Sequence, residues 1–109
     1  MRKAIFFSLC MSLVLPGQAV LADTEQLKIL LQRNNCMACH MIDKRKYGPI
    51  LQEVATKYSA NPSAVQELAI KIKAGGAGVW GADMMPPQPH VSDSDAKKMA
   101  ELIMALAVK

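Results

Sequence analysis

An all-α fold of about four helices is what this chain of 109 residues predicts. Three observations carry the prediction. Apolar residues recur at helical spacing in four separate windows, no window alternates polar and apolar residues as a half-buried strand does, and glycine and proline gather between the periodic stretches.

The first segment reads as an address. Arg2 and Lys3 precede the apolar run Ala4–Val14, then come Pro16 and Gly17 and small residues ending in Val20-Leu21-Ala22. This is the pattern of a secretory signal peptide, residues 1–22, cleaved after Ala22. The run is too short to span a bilayer comfortably, which argues against a retained membrane anchor. Cys10 follows Leu9 inside the run and reads as leader packing, not as a lipidation site. The mature domain is then residues 23–109.

The first helix of that domain is predicted from about Thr24 to Arg33, with Asp23 or Thr24 as N-cap and Leu27, Leu30 and Leu31 on one face. Asn34 and Asn35 can take the left-handed conformation that ends it. A short second helix follows Pro49, where Leu51, Val54, Ala55 and Tyr58 keep helical spacing. Asn61-Pro62 reads as an N-cap and a proline in first position for a third helix, Ser63 to about Ala74, which Gly75-Gly76 stops. Residues 75–91, "GGAGVWGADMMPPQPHV", are hostile to helix and strand interiors, and so long a loop in a small domain needs something to order it. Ser92, with Asp95 three residues on, resembles a capping box and starts the last helix, about Asp93 to Val108. Its apolar stripe, Met99, Ile103 and Leu106 among them, is expected to pack on the first helix.

Composition narrows the possible functions. Cleavage after Ala22 leaves 87 residues, enough for one domain with a marginal core of its own. Tyr47, Tyr58 and Trp80 are the aromatics left for it, so something else is expected to fill the interior. Without Arg2 and Lys3, eleven basic residues face nine acidic ones, a net charge of +2 in place of the whole chain's +4. That balance gives no argument for nucleic acid.

The chemistry sits in "NNCMACHMIDKRKYGP", residues 34–49. Cys36 and Cys39, three apart in a turn, present sulfurs on one side, with His40 beside them. This suits a c-type haem, whose two vinyl groups take the thiols as thioethers while the histidine binds iron. Two other occupants are weighed. Zinc held by Cys36, Cys39, His40 and His90 suffers from the adjacency of Cys39 and His40. A Cys36–Cys39 disulfide of the thioredoxin kind expects a strand and a βαβ pattern that the sequence lacks. Haem needs a sixth ligand, and the 75–91 loop offers Met84, Met85 and His90. Met85, directly before Pro86-Pro87, fits best; Met84 is its nearest rival, and His90 reads as a loop surface residue. Met37, Met41, Met99 and Met104 read as core or gap-fillers.

"CMACH", "YGP", "GVWG", "MPP" and "VSDSDA", in this order and spacing, resemble the short bacterial class I cytochromes c, soluble periplasmic monohaem electron carriers. The resemblance covers Asp23 to Lys109. It implies the small cytochrome c fold around one haem, with Cys36 and Cys39 as thioether bearers, His40 as proximal and Met85 as distal ligand. It further implies that the Pro49 carbonyl accepts the other N–H of His40, that Trp80 donates to a haem propionate, and that Lys71 stands where an arginine often lies near the propionates. Gln88 stands where an asparagine often steadies the methionine. The chain departs from the pattern in Ala82-Asp83-Met84, where proline is usual, and in Pro89-His90, which lengthens the loop.

The expected function is one-electron transfer by a monomer with periplasmic or membrane-bound redox partners, with no bond-making chemistry and no stable membrane insertion. The rival is a haem protein with a labile sixth ligand that binds a gas or reduces peroxide. Tyr47 reads as a packing aromatic. Lys44-Arg45-Lys46 is either a solvated charge run or a docking patch for an acidic partner.

Overall fold

The computed structural model describes residues 10–13 and 15–107. Residues 1–9 and 14 of the predicted leader, Arg2 and Lys3 among them, and the predicted helix end at Val108 lie outside the described residues. Four helices follow in order: α1 (Pro16–Arg33), α2 (Leu51–Tyr58), α3 (Ala64–Ala74) and α4 (Asp93–Met104), with a 3-10 turn at Cys36–Ala38. Among the described residues the only strand-like pairing is a single antiparallel bridge between Gly76 and Met85. No helix among them is long and apolar enough to cross a membrane.

α4 is the hub, packing on α1, α2 and α3. The expected contact with α1 is present, and the two further ones follow from the width of the apolar face of α4. Ala96, Met99, Ala100, Leu102 and Ile103 are all buried along it. Leu27 and Leu31 meet them from α1, Val54 and Ala55 from α2, and Leu68 from α3. Each fully buried leucine in such a cluster contributes about 1.5–3 kcal/mol of transfer free energy.

Three helix boundaries differ from expectation, each for a local reason. α1 starts at Pro16, not Thr24, because no proline or glycine after Gly17 interrupts the helix before Arg33. Thr24 lies mid-helix with its hydroxyl donating to the Val20 carbonyl at 3.0 Å, so neither it nor Asp23 caps. The upstream turns pack on nothing: Val20 and Leu21 are 65% and 70% exposed. α3 starts at Ala64, because Asn61 spends its side-chain oxygen on the N–H of Ser63 at 2.8 Å and makes a turn there. α4 ends at Met104, where the chain tightens and the N–H groups of Leu106 and Ala107 donate to the carbonyls of Ile103 and Met104. Leu106 still packs against the core from that turn.

Other caps match. Asn35 has φ 60° and ψ 22°, the left-handed residue that turns the chain from α1 into the 3-10 turn. Ser92 Oγ accepts from the N–H of Asp95 at 3.1 Å, half of a capping box. The Asp95 carboxylate does not reach back to complete it. It takes both oxygens to Arg33 at 2.7 Å and accepts from Asn34 Nδ2 at 3.1 Å, joining the end of α1 to the start of α4.

Candidate metal centre

Helices α2, α3 and α4 enclose one side of a cavity of about 1290 Å³, a volume that includes its open mouth. Leu51, Val54, Leu68, Ile72, Met99 and Ile103 give it an apolar wall. The opposite walls are the two irregular segments that follow α1 and α3.

The first segment is built around the 3-10 turn. Its three residues per turn bring Cys36 and Cys39 to the cavity on one side, both half-buried and both free thiols. The N–H groups of Cys39 and His40 both donate to the Cys36 carbonyl, at 3.2 and 3.0 Å, which fixes the turn. Burial pushes the Cys36 thiol above its ordinary pKa, and the neighbouring Cys39 adds to the effect. His40 also lines the cavity, with Nδ1 3.0 Å from the Pro49 carbonyl. An Nδ1–H donating there leaves Nε2 as the ring's lone-pair nitrogen, the tautomer a metal ligand needs.

"YGP" holds that ring in place. The Gly48 N–H donates to the Cys39 carbonyl at 2.7 Å, folding the loop back over the turn. A Cβ at Gly48 would lie 2.6, 2.8 and 2.9 Å from three atoms of the His40 imidazole. Glycine is therefore required by contact. Sequence reasoning quoted "YGP" but gave Gly48 no role; a glycine beside the proline that receives the histidine was the available signal. Lys46 lends a further tie, donating to the Met37 carbonyl at 2.9 Å.

The second segment, 75–91, is ordered by main-chain bonds. Gly76 and Met85 exchange N–H···O bonds of 2.9 Å in both directions, and the Gln88 N–H donates to the Lys73 carbonyl at 2.8 Å. Gly75, with φ 67°, ends α3, and any Cβ there would run into the Met85 carbonyl. These bonds seat Met85, half-buried, on the cavity, while Met84 is 61% exposed at its rim. Trp80, Lys71, Pro49 and Gln88 line the same space. His90 does not: it is exposed, and its Nε2 lies 3.4 Å from the Asn34 carbonyl. Among the described residues no three histidine, cysteine or acidic side chains are grouped to hold a metal ion by themselves, so the zinc set is not assembled.

Tyr47 is half-exposed on the rim and not in the core. Of the basic run, Arg45 lines the mouth, Lys44 faces solvent and Lys46 is engaged with the Met37 carbonyl.

The cytochrome c profile matches residues 17–107. The chain belongs to the cytochrome c family. Cytochrome c-552 of Nitrosomonas europaea is 47% identical to it over 77 residues, 71% of this chain and 75% of that protein. Cytochrome c-551 of Stutzerimonas stutzeri is 38% identical over 106 residues, 97% of this chain and 99% of that one. The crystal structure of wild-type Nitrosomonas europaea cytochrome c552 has a TM-score of 0.71 at 46% identity, covering 72% of this chain and 98% of its own. This cytochrome c accordingly carries haem c covalently and serves as a one-electron carrier. Its residues fit that group: two adjacent thiols, an imidazole with one nitrogen engaged by the backbone, and an apolar cavity that the sparse aromatics leave to be filled.

Proposed function

We propose that the mature chain, residues 23–109, is a periplasmic monomer that passes single electrons between respiratory partners and catalyses no bond-making reaction. Cys36 and Cys39 form the thioethers, His40 binds iron through Nε2 and Met85 supplies the distal sulfur. The observation that carries this assignment is the 3.0 Å approach of His40 Nδ1 to the Pro49 carbonyl, in a cavity that Met85 also lines. The haem supplies the change of oxidation state. The protein's part is to keep both ligands where they are. Hydrogen bonds close the turn beneath His40, and the Gly76–Met85 pair fixes the main chain on either side of the methionine. As the second ligand, the soft thioether of Met85 would favour ferrous iron and raise the potential. Trp80 and Lys71, both on the cavity wall, are assigned to the propionates. Export through a cleaved leader agrees with the unpacked turns of α1 before Asp23.

The test is periplasmic expression with the haem-attachment machinery. Haem stain that survives a denaturing gel and a low-spin ferric spectrum with the weak red iron–sulfur band are expected. Met85→Ala abolishes that band and Met84→Ala keeps it. A colourless protein overturns the haem assignment, the reverse methionine pattern moves the ligand to Met84, and high-spin iron that readily binds cyanide would favour the gas-binding or peroxide-reducing rival.

A further inference from the structure

Trp80 sits at the tip of the 75–91 loop, between Gly78 and Gly81, whose φ angles of 95° and 107° leave the local backbone pliant. One main-chain bond, Gly78 N–H to the Gly81 carbonyl at 2.9 Å, closes the tip. The indole is half-buried against the core, and its orientation needs a further hold. Lys57 provides one: its ammonium lies 5.4 Å from the centre of the Trp80 ring. That placement is not the default for a lysine on the last turn of α2. Glu53 precedes Lys57 by four residues, the favoured orientation for a helical ion pair. Among the described residues Lys57 nevertheless makes no ion pair, and its charge faces the ring.

We infer that Lys57 is a positioning residue for Trp80, fixing the indole in the cavity wall and strengthening its N–H as a donor, so that the bound haem is shifted toward its ferrous state. A cation over an aromatic face draws on the ring's negative quadrupole. The indole nitrogen, which can only donate, thereby becomes the better partner for an anionic group. An acceptor so neutralised destabilises the ferrous iron less. The inference rests on the haem reading above, and it adds a residue that neither the Cys-x-x-Cys-His stretch nor the methionine loop contains.

The experiment compares Lys57→Gln and Lys57→Arg in the holoprotein, each in the wild-type chain and in Trp80→Phe, which keeps an aromatic face and loses the N–H. At low ionic strength and a fixed applied potential, Lys57→Gln is expected to lower the ferrous-to-ferric ratio by about two- to fivefold. Lys57→Arg restores it, since guanidinium also stacks on indole. In the Trp80→Phe background the Lys57→Gln effect shrinks toward none. An equal shift in both backgrounds overturns the inference, because Lys57 would then act as a bulk charge. No shift in the wild-type chain, or failure of arginine to restore it, overturns it too. The haem stain and iron–sulfur band of the parent chain are read in the same samples; their absence refutes the haem reading itself, whereas their presence without a shift refutes only the role of Lys57.

Discussion

Gly48→Ala is expected to loosen the iron site through a single methyl group. The added Cβ would stand 2.6 Å from His40 Cε1 and under 3 Å from both ring nitrogens, well inside carbon–nitrogen contact distance. The imidazole must therefore swing or the loop must lift. Overpacking of this kind costs about 1–3 kcal/mol. Displacing the ring also weakens the His40–Pro49 hydrogen bond, a further ~0.5–1.5 kcal/mol. Against these, replacing glycine reduces the freedom of the unfolded chain and stabilises by about 0.4–1 kcal/mol. The Gly48 φ lies outside the left-handed region, so backbone strain adds nothing. The steric and hydrogen-bond costs win, leaving a net loss of about 0.5–4 kcal/mol, or roughly 2–30 °C in Tm for a domain of this size. Guanidinium unfolding of the ferric holoprotein, followed by the Soret circular dichroism and by the iron–sulfur band, measures it. An alanine variant whose midpoint and spectra match the parent would refute the claim that ring contact dictates glycine here.

Three further outcomes follow from charged residues at the cavity mouth or away from it. The Arg33 guanidinium, aided by Asn34, holds the Asp95 carboxyl below its ordinary value, so its stabilising effect is complete above the usual carboxylate pKa and is lost as pH falls through the lower folded value. Asp95→Asn should therefore lower the urea midpoint at neutral pH and flatten its fall in acid; an acid limb as steep as the parent's would contradict this. Within the basic run, Lys46→Met should cost about 0.5–1.5 kcal/mol by losing the bond to the Met37 carbonyl, measured by guanidinium unfolding. Lys44→Gln and Arg45→Gln should leave stability within about 0.5 kcal/mol but slow reduction by ferrocyanide at low salt, a difference that added salt removes.

The four helices were legible because each buries a face whose apolar residues recur every three or four positions, as Leu27, Leu30 and Leu31 do in α1. Their ends were less so, because capping is decided by side chains with several possible partners. Asn61 satisfied Ser63 and deferred α3 by a residue, and Asp95 left Ser92 for an arginine 62 positions away. The predicted site residues come to one cavity because Cys36, Cys39, His40 and Pro49 lie on one irregular segment, Trp80 and Met85 on another, and Lys71 on the helix α3 that leads into the second. What no spacing announced was contact between segments distant in sequence. The ring of His40 against Gly48 depends on a loop folding back, and the charge of Lys57 lies over an indole 23 residues away. Periodicity records which face is buried, not which neighbour arrives.

The continuous helix from Pro16 would give the proposed cleavage after Ala22 a structural meaning beyond delivery. In the uncut chain Asp23 and Glu25 lie in the middle of α1, where the helix dipole is indifferent to them, and the Thr24 hydroxyl is spent on Val20. Under the proposed cut after Ala22, Val20 would be lost and these same residues would become the helix's first turn. Their carboxylates then oppose the positive end of the dipole, worth about 0.3–1 kcal/mol each, and Thr24 is released to bond a neighbouring N–H. The proposed cut would thus create the cap as it removes the address, leaving the helix to start with residues that had no terminal role before it.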